Sequence, residues 1–209
     1  MPGPVPMGDD RQMRLVLLGV GAMNSPRYRP AGLSLRSRGR TLVIDGGDPH
    51  ALPEQFDDWL VCDEHAELMP QIRRLAGERG IEPRVSERVV GDVVVTPLPV
   101  VHTSHPTYGY LLTTWTRRVG WAPEFWCYPE WAEDLDLLFA DAAGWARPIR
   151  FRGGVGGHAC ATEVAQQALA HHVRRLVFAH LGRPTLAALD AGKQAEFGEF
   201  GSGGQAFRL

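Results

Sequence analysis

Three things are scarce in this sequence, and each scarcity removes a class of protein. Only three cysteines occur in 209 residues, Cys62, Cys127 and Cys160, an odd number spaced far apart. Neither a disulfide framework nor a zinc ribbon is expected from them, and Cys62 reads as a small buried hydrophobe. No apolar run approaches the ~20 residues that cross a bilayer. The opening Met1-Pro-Gly-Pro-Val-Pro also lacks the basic-then-apolar layout of a leader, so a cytoplasmic chain with no membrane association is expected. A basic excess is missing as well: the formal net charge is −2 and the isoelectric point is near 6.4. Neutralising phosphates supplies most nucleic-acid affinity, so strong nucleic-acid binding is not expected and a small-molecule substrate is. The local cluster Arg147, Arg150 and Arg152 reads as a solvated edge, with a phosphate contact as the alternative.

What is present is ordinary for a globular chain: 44% hydrophobic and 22% charged residues, enough for one sizeable core. The expected organisation is a Pro/Gly-rich lead-in over residues 1–12, one domain over 13–197, and a poorly fixed Gly-rich tail over 198–209. Apolar and β-branched runs predict strands over 14–19, 32–38, 41–44, 59–62, 84–101 with a turn at Gly91-Asp92, 108–115, 119–122, 134–140 and 175–179. Helices are predicted over 53–58, 66–79, 162–172 with Thr162 as N-cap, and 185–196. Gly19-Val-Gly21 is followed by Pro- and Arg-rich loop chemistry in place of a helix, which argues against a dinucleotide fingerprint.

The strands end in an unusual way. Asp45 closes the second hairpin strand, Asp63 and His65 follow Trp59-Leu60-Val61-Cys62, His102 closes the run after Gly91, Glu124 follows 119–122, and His180 follows 175–179. Asp63, His65 and Glu67 alternate, so an extended segment would project them to one side. Carboxylates and neutral imidazoles are the usual ligands of divalent cations. Taken alone, Asp63 and Glu64 read better as caps of helix 66–79; the repetition along the chain turns the reading toward a metal centre at one edge of the sheets. Asp45, ahead of two glycines, is placed to hold a neighbouring imidazole by hydrogen bond, or to make a simple Asp-Gly turn.

Several short motifs occur in a telling order: Leu17-Leu-Gly-Val-Gly21, Leu42-Val-Ile-Asp-Gly-Gly47, Val101-His102-Thr through Gly109-Tyr110, Gly157-His158 before a helix, and Leu176-Val-Phe-Ala-His180-Leu-Gly-Arg-Pro. Together they resemble the metallo-β-lactamase superfamily, in particular the branch of tRNase Z and the phosphonate-pathway cyclic phosphodiesterases. The resemblance implies an α/β fold, the four-layer αββα sandwich, with its site along one sheet edge. It also implies hydrolysis through a metal-bound water, with His158 near the scissile phosphate.

The departures alter the site. Where the family reads Thr-His-x-His-x-Asp-His, this chain reads Cys62-Asp63-Glu64-His65-Ala66-Glu67-Leu68. By that alignment the first metal would take Asp63, His65, His102 and a bridging Glu124. The second would need Glu67, Leu68, His180 and Glu124, and leucine cannot ligate. One well-held metal per chain is therefore expected, its harder donor set moving preference from zinc toward manganese or iron. Two function classes follow: a metal-dependent hydrolase of a small phosphodiester or related ester, or a catalytically degenerate binding protein on the same fold. Lactonase or thioesterase activity rests on the breadth of the superfamily alone, and a homodimer is compatible with either class.

Overall fold

The computed structural model describes residues 13–23 and 25–209, so the expected lead-in over 1–12 lies outside the described residues. In chain order the elements are β1 (Arg14–Gly19), β2 (Gly32–Ser37), β3 (Arg40–Asp45), β4 (Asp58–Leu60), α1 (Met69–Gly77), β5 (Arg88–Val90), β6 (Val93–Val100), β7 (Thr107–Thr113) and β8 (Arg118–Ala122). They continue with β9 (Leu137–Ala142), β10 (Ile149–Arg150), β11 (Gly157–His158), α2 (Ala161–Ala170), β12 (Leu176–Leu181), α3 (Arg183–Asp190), β13 (Glu199–Phe200) and β14 (Ala206–Arg208). Among the described residues, no helix is long and apolar enough to cross a membrane.

Two sheets face each other: five strands in the order β14-β1-β2-β3-β4, and seven in the order β13-β12-β9-β8-β7-β6-β5. Strand periodicity explains the layering. On β3, Leu42 and Ile44 face the other sheet while Val43 faces outward, because successive side chains alternate. Leu15, Leu17, Leu33 and Leu35 join the inner face and meet Tyr110, Leu112, Trp121 and Phe139 from the larger sheet. Val43, Trp59 and Val61 on the outer face receive Met69, Ile72 and Leu75 of α1. The helix α2 covers β9 and β12 through its buried Val164, Ala165 and Ala168. The order helix, sheet, sheet, helix is the four-layer αββα sandwich.

Several local expectations are corrected. The helix predicted from residue 66 begins at Met69. Pro70, which has no N–H to donate, fits its first turn but would break a helix begun at 66. No helix forms over 53–58, which bends into β4. Thr162 does not cap α2; Cys160 holds that position without a side-chain bond. The last helix stops at Asp190 rather than continuing to 196, and Gly192 takes the left-handed φ of 73° just beyond it. The Gly-rich segment 198–209 is fixed, not loose. There β13 pairs in parallel with β12 and β14 antiparallel with β1, and Phe207 is only 3% exposed.

The topology sets where the site lies. The strands β8, β9 and β12 run parallel, so their C-terminal ends, and the residues there, share one edge. The parallel pair β3 and β4 brings Asp45 and the segment after Leu60 together in the facing sheet.

Candidate metal centre

At that edge a cavity of about 450 Å³ is lined by every residue that the sequence singled out: Asp45, Asp63, His65, Glu67, His102, Glu124, His158 and His180. Their donors fall into two neighbouring groups, however, and not into the one set expected for a first ion. Asp63 and His65 gather with His105, the three donor atoms all lying within 4.8 Å of one another. His102 and His180 flank Glu124 instead, with His102 Nε2 at 3.4 Å from Oε2 and His180 Nδ1 at 3.5 Å from Oε1. Glu67 is exposed at the rim, beside Leu68.

Each imidazole of the inner group has a definite surrounding. His102 is buried, and its Nδ1 donates to the Gly157 carbonyl at 2.8 Å, which turns Nε2 toward Glu124. A backbone carbonyl on one ring nitrogen is the usual partner that fixes a ligating histidine. That contact needs glycine: a Cβ on Gly157 would stand 2.0 Å from the Ile149 carbonyl oxygen. Burial, and next the neighbouring His158, lower the His102 pKa.

His180 is 3% exposed, and neither ring nitrogen has a hydrogen-bond partner among the described residues. Burial depresses its pKa to about 3, so the ring is neutral and offers a free lone pair. Glu124 keeps 30% of its side chain open to the cavity. Its carboxyl is nevertheless pushed up to about 8, first by loss of water; His158 opposes the rise while Asp45, Asp141 and Asp63 add to it. A neutral orphaned imidazole, a second oriented one and a carboxylate that lacks a counter-charge fit a divalent cation.

Asp45 does not hold an imidazole, as the sequence led one to expect. Its Oδ1 accepts the Cys62 N–H at 2.7 Å and its Oδ2 accepts Trp121 Nε1–H at 2.7 Å, so it ties the strand ends of the two sheets together. Burial raises its pKa, against the pull of those two donors. The carboxylate that does hold a histidine is Asp141, which sequence reasoning passed over. It is fully buried in β9, its Oδ2 lies 2.8 Å from His158 Nδ1, and the N–H groups of Phe125 and Ala143 donate to it. A carboxylate inside Leu-Leu-Phe-Ala-Asp-Ala, where every other residue is apolar, was the available signal. Burial would lower the His158 pKa, but Asp141 and Glu124 more than offset it and the net shift is upward.

No family model matches the sequence, and a search of curated proteins finds no match either. Solved structures do match. YhfI of Bacillus subtilis, described as a metallo-β-lactamase fold protein, has a TM-score of 0.74 at 16% identity, over 95% of this chain and 100% of that one. A diphosphatase of the PhnP family has a TM-score of 0.71 at 14% identity, over 95% and 97%. The short form of human tRNase Z has a TM-score of 0.62 at 14% identity, over 93% and 98%. At such identities the likeness speaks of architecture, and with the layer order above it identifies the fold: this chain is a metallo-β-lactamase fold protein.

Proposed function

We propose that this protein is a metal-dependent hydrolase of a small ester, with one well-held divalent cation bound by His102, Glu124 and His180. The observation that carries the reading is His180, a buried neutral imidazole with both nitrogens unpartnered beside a carboxylate. Such an arrangement is costly unless something completes it. The carboxylate-containing donor set favours manganese or iron over zinc without excluding zinc. A divalent cation in this place supplies Lewis acidity and makes water acidic enough to attack near neutral pH.

The chain's own groups divide the remaining work. Asp141 holds His158 through Nδ1, so Nε2 is the nitrogen left for the cavity, and the raised pKa keeps a proton there for a leaving oxygen. Asp45 fixes the segment that carries Asp63. Phe151, Leu68 and Met23 give the cavity an apolar wall that limits water. Among the described residues no Arg or Lys lines the cavity, so a monoanionic phosphodiester or an uncharged ester suits it better than a highly charged substrate. A small substrate in the cytoplasm, in place of structured nucleic acid, belongs to the same reading.

The test is metal analysis of protein purified without chelators, joined to turnover of bis-p-nitrophenyl phosphate, a p-nitrophenyl ester and a lactone with added Mn²⁺, Zn²⁺ or Fe²⁺. Hydrolysis that is lost with the metal in His180→Ala and Glu124→Gln is the expected result. A second reading, a binding protein without activity, is favoured by Leu68 and by the exposure of Glu67. Metal-loaded protein with no turnover of any of these substrates would establish it in place of the first.

A further inference from the structure

The outer group, Asp63, His65 and His105, is not used by the reading above, and its geometry asks for an explanation. Asp63 is a buried carboxylate whose side-chain partners among the described residues are these two histidines. No Arg or Lys neutralises it there. His105 Nε2 lies 2.8 Å from Asp63 Oδ2, and the His65 ring stands 4.9 Å from the His105 ring, centre to centre. Asp63 Oδ1 accepts the His65 N–H at 2.7 Å, which folds the chain so that the His65 Nδ1 comes to 3.8 Å from the same oxygen. The loop that carries His105 is itself braced, since Thr103 Oγ1 donates to the His105 carbonyl at 3.1 Å. The same short loop therefore places His102 in the inner group and His105 in the outer one.

We propose that Asp63, His65 and His105 form a second cation site at the mouth of the cavity, in which His105 supplies an imidazole that Leu68 cannot. The donor set is two imidazoles and one carboxylate on one side of an open position. That combination takes a first-row divalent ion such as Fe²⁺, Co²⁺ or Zn²⁺ in preference to Mg²⁺ or Ca²⁺, which want oxygen ligands. His65 and His105 are 68% and 34% exposed, so the site exchanges its ion with solvent more readily than the inner group and is the weaker of the two. It rests on the metal reading above in one respect, that the inner group also binds an ion.

The experiment uses the full chain, stripped with a chelator and titrated with Co²⁺ and separately with Zn²⁺, with bound metal counted by elemental analysis and affinities by calorimetry. The parent chain is expected to take up two equivalents, the second more weakly. His105→Ala and His105→Gln are expected to keep the tight equivalent and lose the weak one or bind it about 10- to 100-fold less well. Their melting temperatures report whether they remain folded, and Thr103→Val, which slackens the loop without removing a donor, is expected to weaken the same equivalent by less. A parent chain that stops at one equivalent would overturn the site, as would a folded His105→Ala chain that still binds two with unchanged affinities; Asp63 and His105 would then be a hydrogen-bonded tether. Turnover is scored apart: two equivalents without hydrolysis sink the hydrolase and leave the outer site standing, and hydrolysis with a single equivalent does the reverse.

Discussion

Replacing Gly157 by alanine tests the close approach on which the inner group depends. The added Cβ would stand 2.0 Å from the Ile149 carbonyl oxygen and 2.5 Å from Trp126 Cε3, where real Cβ atoms keep at least 3.0 Å. The partner is backbone on one side and a packed indole on the other, so β11 has to retreat by about 1 Å. That retreat stretches two bonds to one residue, His102 Nδ1 to the Gly157 carbonyl at 2.8 Å and the Gly157 N–H to the His102 carbonyl at 2.9 Å. Overpacking costs about 1–3 kcal/mol and each weakened hydrogen bond about 0.5–1.5 kcal/mol, which together make roughly 2–5 kcal/mol. For a chain of this size the loss lowers the melting temperature by roughly 5–15 °C. Gly39→Ala is the control. It sits at φ 75° with nothing within 4 Å of its would-be Cβ, so only backbone strain of about 1–2 kcal/mol opposes it. The assay is calorimetric melting of both variants, with Zn²⁺ titration of the stripped protein. Gly157→Ala should melt well below Gly39→Ala and bind the tight equivalent less well, because His102 loses the carbonyl that orients it. A Gly157→Ala chain that melts no lower than the control, with unaltered metal affinity, would refute the reasoning.

Three further outcomes are expected. Phe207→Ala removes a ring that is 3% exposed and lies edge-on to Phe139 at 5.1 Å, and should cost about 3–5 kcal/mol in urea unfolding; a loss under about 1 kcal/mol would mean that the C-terminal strand is not part of the core. Asp141→Asn leaves His158 without its anionic partner and should lower kcat by about 10²-fold or more with little change in KM, and parent-like kcat would remove His158 from proton transfer. Thiol labelling of the native protein should modify Cys127 alone, since Cys62 and Cys160 are buried and burial raises both their pKa values; fast labelling of more than one thiol before unfolding would contradict the packing around them.

By itself the sequence determined the strands and the residues at their ends. Runs such as Leu42-Val-Ile44 and Val93-Val-Val95 carry their conformation locally, through β-branching and alternation, and the polar residue after each run is visible without any knowledge of its neighbours. The order of Asp45, Asp63, His102, Glu124 and His180 was legible for that reason, as was the four-layer sandwich through the motifs that accompany them. Tertiary structure alone decided how those donors are shared. Which imidazole meets which carboxylate depends on the stagger of strands far apart in the chain, and so His105 joined Asp63 while His180 joined Glu124. The same holds for Asp141, whose role exists only because β11 carries His158 to it. It holds also for β13 and β14, short segments whose Gly-rich surroundings give no periodic signal and whose hydrogen bonds are supplied by β12 and β1. Local sequence fixes what a residue can offer, whereas the partner that makes the offer useful comes from packing over long separations.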